Sequence, residues 1–266
     1  MKSGGTSSLA ATQAYSGTLV VDTFAQPVRD YVQQSLGRPV SLLRAGCVTP
    51  LDELGLGKLR DAGCEISVVG VEQDHPRLGE VGEEVTIGDL RTIPLPPRAF
   101  DIVHCSLLLH RIHHVPLVLD RLGASLRPGG LLLLRIRDRD CAAAFLDRKV
   151  PGWLRRVLWT RLHPGQPGPF PVVYEPTASA RGIPAYMLMR GLVITQRRTA
   201  RTLPRHPRGL NRVVGAARAV VARLSRGRLT DEHDEVLFVI RKPEDRFARV
   251  VLTPCISERH TLLWQT

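Results

Sequence analysis

The feature that most constrains this chain is a recurrence of short apolar runs separated by helix-like stretches. The runs are Val40 to Leu43, Ile66 to Val71, Val85 to Ile87, Phe100 to Leu108 and Leu131 to Ile136. Each is short and nearly continuously hydrophobic rather than alternating, as a parallel strand covered on both faces must be. Between them lie Leu51 to Ala62, a loop-rich stretch around Pro76, the proline-rich loop Pro94 to Pro97, and a helix from Pro116 to Leu126. Parallel neighbours need crossover connections, so this order predicts an α/β protein with a doubly wound, mostly parallel sheet.

The flanks differ in character. The first fifteen or so residues are small and polar, and a disordered start is expected there. Val21, Phe24, Val28, Tyr31 and Val32 then recur at helical spacing, and Gly37 with Pro39 ends that helix. After Arg137 a long basic stretch carries the loop His163 to Pro171, a helix from about Thr177 to Arg190, a strand Leu192 to Gln196 and an amphipathic helix from Leu210 to Leu224. A late strand follows at Glu235 to Ile240. The expected organisation is a disordered start and N-terminal helices at 1–37, a cofactor-binding core at 38–140, and a helical capping insertion with C-terminal strands at 141–266.

A net charge of +12 raises nucleic acid and anionic membranes as partners. Only four of the 37 basic residues are lysine, however, so an arginine-biased composition accounts for much of the excess. Nucleic acid is therefore an unlikely partner. Trp153 to Trp159 mixes aromatic and basic residues, and the later amphipathic helix places Arg212, Arg223 and Arg226 away from its apolar face. Core-facing helices share that pattern, but peripheral contact with an anionic membrane or a lipid-linked substrate is kept as an idea. No apolar run reaches the roughly 18 residues needed to span a bilayer, and the first 20 residues lack a signal-peptide core, so a cytoplasmic location is expected. The five cysteines are scattered and form no C-x-x-C pair, which reads as reduced structural thiols without a metal site.

The chemistry concentrates where strands end. A cofactor with ribose hydroxyls and an adenine amine but no phosphate needs carboxylates at the carboxyl ends of strands, where an open α/β sheet forms its crevice. Glu72 ends the second run, placed to accept hydrogen bonds from both ribose hydroxyls. Asp89 follows the third. Between Gly88 and Asp138 the chain reads as strand end with an acid, proline-rich loop, strand opened by Asp101, loop with His110, helix, the turn Leu126-Arg127-Pro128-Gly129-Gly130, and strand.

This block resembles the class I S-adenosylmethionine-dependent methyltransferases, especially those that methylate small molecules and quinones. The resemblance covers roughly residues 38 to 138, together with the late strand. It implies S-adenosylmethionine as cofactor, with Ala45, Gly46 and Cys47 at its methionine end, Glu72 and Gln73 at the ribose, Asp89 and the backbone of Leu90 at the adenine, and Cys105 lining the pocket or packing in the core. The glycine-rich loop departs from the family pattern. Leu43 to Pro50 keeps one glycine, Gly46, and places Val48 and Pro50 where glycines are expected, with Arg44 displacing the usual acid. Gly46 and Glu72 are 26 positions apart, against about 20 in the related dinucleotide fingerprint.

His110, at the end of the fourth run, is the candidate for substrate contact or general base, although His110, His113 and His114 read equally well as loop residues. The expected function is methyl transfer to a small metabolite, lipid or glycan. A catalytically inactive relative of the same fold and a nucleic-acid methyltransferase stand as alternatives, the latter without an N-P-P-Y-like motif.

Overall fold

The computed structural model describes residues 24–46, 54–72, 83–156, 171–201, 208–226 and 228–244. Seven strands form one sheet: β1 (Val40–Ala45), β2 (Ile66–Glu72), β3 (Glu83–Ile87), β4 (Phe100–Ser106), β5 (Leu126–Arg137), β6 (Val193–Ala200) and β7 (Glu235–Arg241). Their order across the sheet is β3-β2-β1-β4-β5-β7-β6. The first five pair in parallel, and β7 runs antiparallel to both β5 and β6. The order reverses between β1 and β4, and such a switch point opens a crevice at the carboxyl ends of the strands.

The helices among the described residues include α1 (Ala25–Gln34), α2 (Leu56–Asp61), α3 (Val115–Ser125), α4 (Ala142–Lys149), α5 (Gly182–Met189) and α6 (Arg208–Leu224). Alternate residues of each central strand face opposite layers. Leu43, Ala45, Val103, Cys105, Leu132 and Leu134 pack with α3 and α5, while Leu42, Ile102, Leu131 and Leu133 pack with α1 and α2. Every residue of β4 is buried, which is why its sequence reads as one apolar run.

Three expectations shift at their edges. The helix read at Leu51 to Ala62 begins at Leu56, because Gly55 precedes it in the left-handed conformation at φ +65°. The Leu126 to Gly130 turn lies within β5 as an irregularity. Phe100 pairs with Leu126 and Ile102 with Leu131, so the intervening residues loop out with Gly129 at φ +80°. The helix expected from Thr177 starts at Gly182, after a turn in which the Ser179 hydroxyl accepts from the Gly182 amide at 2.9 Å. The expected disordered start, Val21, Val48, Pro50, Trp159 and the loop at His163 lie outside the described residues.

At the amino end of the sheet, Asp101 is fully buried and ties the first layer together. It accepts from Arg38 at 2.7 Å, Arg127 at 2.6 Å, the Ser41 amide at 3.0 Å and the Tyr31 hydroxyl at 3.2 Å. No helix among the described residues is long and apolar enough to cross a membrane.

Candidate active site at the strand ends

The residues singled out in the sequence occupy the carboxyl ends of β1 to β4. Ala45 closes β1 and is buried. Gly46 follows at φ +80°, a conformation that costs an L-residue about 1–2 kcal/mol. A Cβ there would lie 3.1 Å from the Ser106 carbonyl oxygen and 3.3 Å from Leu108 Cβ. The turn after β1 is therefore pressed against the end of β4, and only glycine fits. Cys47 and Gln73 lie outside the described residues, and Glu72 is the last residue of β2.

Beyond β3, Asp89 turns the chain. Its carboxylate accepts from the Arg91 amide at 2.8 Å and from the Arg91 guanidinium, through Oδ1 at 3.0 Å and through Oδ2 at 2.8 and 2.6 Å. Those bonds hold its pKa below the ordinary carboxylate value. Leu90 is buried, and its carbonyl accepts from Arg121 Nε of α3 at 2.9 Å. Only the two-residue spacing of Asp89 and Arg91 hints at this fork in the sequence. An adenine amine binding Asp89 must share the carboxylate with Arg91.

On β4, Cys105 is buried in the α3 layer, and burial pushes its thiol up to about 12. It is a neutral, unreactive thiol under any working condition. Ser106, next to the Gly46 turn, is buried with a hydroxyl that has no hydrogen-bond partner among the described residues. His110 is 5% exposed. Burial first, then the positive charges of Arg137 and Arg111, hold its pKa well below the ordinary imidazole value, so the ring is neutral. Its Nδ1 also has no partner among the described residues. His114 takes φ +62° as the residue before α3.

A strap at 171–176 roofs this end of the sheet. The Val173 and Tyr174 amides both donate to the His110 carbonyl at 3.1 Å. The Tyr174 ring lies 5.4 Å from the His110 ring, and its hydroxyl donates to Asp147 of α4 at 3.2 Å, with the positive charge of Arg137 at the end of β5 acting on it. Glu175 reaches the amino end of α3, where it accepts from the His114 amide at 2.6 Å and the Val115 amide at 2.9 Å. The Tyr174–Asp147–Arg137 group was not anticipated, and nothing in local spacing announces it.

The ends of β1 and β4 thus hold a glycine turn that a Cβ would fill and, beside it, a buried serine hydroxyl, with Glu72 last in β2 and Asp89 after β3. Among the described residues no group of three or more His, Cys, Asp or Glu side chains could hold a metal ion.

The sheet order with an antiparallel seventh strand inserted beside β5, and a crevice of this make-up, define the class I fold of S-adenosylmethionine-dependent methyltransferases. Its cofactor is S-adenosylmethionine. Residues 14–170 match the model of the methyltransferase domain family, and the chain belongs to that family. Solved structures share the fold at low identity. An S-adenosylmethionine-dependent methyltransferase from Mesorhizobium loti is 16% identical over 82% of this chain and 96% of its own, with a TM-score of 0.48. A chain of the complex between the Haloferax volcanii Trm112 methyltransferase activator and a methyltransferase is 12% identical over 83% and 93%, with a TM-score of 0.51. The Burkholderia thailandensis 1,6-didemethyltoxoflavin-N1-methyltransferase, solved with 1,6-didemethyltoxoflavin and S-adenosylhomocysteine bound, is 13% identical over 84% and 80%, at 0.45. No curated protein sequence matches the chain.

Proposed function

We propose that this methyltransferase acts on a small-molecule acceptor held between the loop after β4 and the 171–176 strap, in the cytoplasm. The observation that carries the reading is the Gly46 turn packed against Ser106 and Leu108, which leaves bare backbone at the switch point of the sheet. Bound S-adenosylmethionine supplies a methyl group activated by its sulfonium. The backbone at Ala45, Gly46 and Cys47 would receive the methionine end, Glu72 and Gln73 the ribose hydroxyls, and Asp89 with the Leu90 backbone the adenine. Cys105 would contribute only its apolar bulk beneath the cofactor.

His110 is neutral, so its imidazole offers a lone pair rather than a charge. That suits a hydrogen-bond contact to an acceptor hydroxyl or amine, or removal of its proton. Methyl transfer depends mainly on alignment, so the residues that fix the strap matter as much as any base. The strap is bonded to the β4 loop and to α3, and a fixed strap over the strand ends suits a small acceptor better than a nucleic-acid strand. Residues 38–140 would form the cofactor-binding core and 141–266 the capping region. Isothermal titration with S-adenosylmethionine and S-adenosylhomocysteine tests the reading. Saturable binding that is lost in Gly46→Val is expected, and binding by that folded variant at wild-type affinity would refute it.

A further inference from the structure

Between α4 and the end of α6 lies an apolar groove. Phe145, Val221, Leu224 and Leu229 line it, with Ser225, Arg226 and Arg228, around a volume of about 750 Å³. That size lies within the roughly 300–1,000 Å³ of small-molecule sites. Leu224 is 78% exposed, an unusual position for leucine unless something else covers it.

The charges at the rim give the second observation. Arg226 and Arg228 are exposed, and neither side chain has an ion-pair or hydrogen-bond partner among the described residues. Lys149, outside the lining, sits over the Phe145 ring with its Nζ 5.8 Å from the centroid. Three of the nearby acids are engaged elsewhere: Asp231 and Asp234 bind Arg218, and Asp147 binds Tyr174 and Arg155. Unpaired guanidinium groups beside an apolar trough match a ligand with a hydrocarbon body and an anionic head. The trough is concave, so it accepts a single chain, whereas a bilayer surface needs a protruding apolar element to insert.

We propose that this groove is a binding site for a free single-chain fatty carboxylate, its tail along Phe145 and Leu224 and its carboxylate on Arg226 and Arg228. The proposal does not depend on methyl transfer, because occupancy is read directly. The full chain is titrated with parinaric acid below its micellar concentration, with dodecanoate and dodecanol as competitors. Saturable fluorescence gain is expected, with displacement by dodecanoate at least ten times more effective than by dodecanol. Leu224→Glu and the double variant Arg226→Ala, Arg228→Ala change exposed residues, and each is expected to weaken binding at least five-fold while thermal unfolding stays as in the wild type. The absence of saturable uptake overturns the proposal. So does equal competition by the alcohol, unchanged affinity in both variants, or binding to anionic phospholipid vesicles without any to the monomeric acid.

Discussion

Removing the Glu175 carboxylate tests whether the strap is held from outside its own backbone. In Glu175→Ala the His114 and Val115 amides lose bonds of 2.6 and 2.9 Å. Hydrogen bonds to a charged group contribute about 1.5–3 kcal/mol, and a carboxylate at a helix amino end adds about 0.3–1 kcal/mol. The His114 bond is exposed and the Val115 bond part-buried, so water recovers much of this. A net loss of about 1–2 kcal/mol is expected, felt as easier opening of the strap rather than as global unfolding. Hydrogen exchange read at the Val173 and Tyr174 amides, which donate to His110, should quicken about 5–30-fold. Glu175→Gln, which keeps one acceptor oxygen, should fall between. Exchange at Val173 and Tyr174 that is unchanged in a folded Glu175→Ala protein would show that the strap is held by Tyr174 alone.

Three further outcomes are expected. Gly46→Val should destabilise the fold by about 2–4 kcal/mol, combining left-handed strain with the contact on Ser106, and thermal unfolding measures it. Asp101→Ala removes a buried carboxylate from the Ser41 amide, the Tyr31 hydroxyl and the partly exposed Arg38 and Arg127, and should cost about 1.5–3 kcal/mol in urea unfolding. His104 on β4 is packed edge-on against Phe24, with both ring nitrogens unpartnered among the described residues, and burial with the charges of Arg44 and Arg135 lowers its pKa to about 3. His110 is lowered too. The unfolded chain therefore binds protons that the native state refuses, and stability should fall as pH drops below about 6.5, by up to about 1.4 kcal/mol per pH unit for each histidine. His104→Leu should flatten that slope, and equal slopes in urea titrations at pH 7.5 and 5.5 would count against the account.

The sheet was legible because burial on both faces writes itself as unbroken apolar runs. Val40, Ile66 and Phe100 begin strands where the runs begin. The strand ends were legible for the same reason, since Gly46, Glu72 and Asp89 are the first residues able to leave the core. What escaped notice depends on distant pairing. His110 looked like an exposed loop base, yet Tyr174, 64 positions later, covers it. Asp101 opened a strand in the sequence, but only the fold brings Tyr31, Arg38 and Arg127 to one carboxylate. The start of α2 was misjudged because apolar periodicity does not reveal that Gly55 adopts a left-handed conformation.

The insertion of β7 between β5 and β6 sets a timetable for assembly. Arg135 and Glu235, bonded at 2.8 Å, are 100 positions apart, and β6 has no described sheet neighbour except β7. While the chain emerges from the ribosome, β1 to β5 can pair as they appear, but the flank of β5 stays open until residues 235–241 arrive. Such delayed pairing of distant segments slows folding and leaves a naked strand edge exposed meanwhile. The nascent chain thus has its crevice laid out early and its sheet sealed late. A polypeptide ending before Glu235 would present β5 as a sticky edge, and β6 could not cover it.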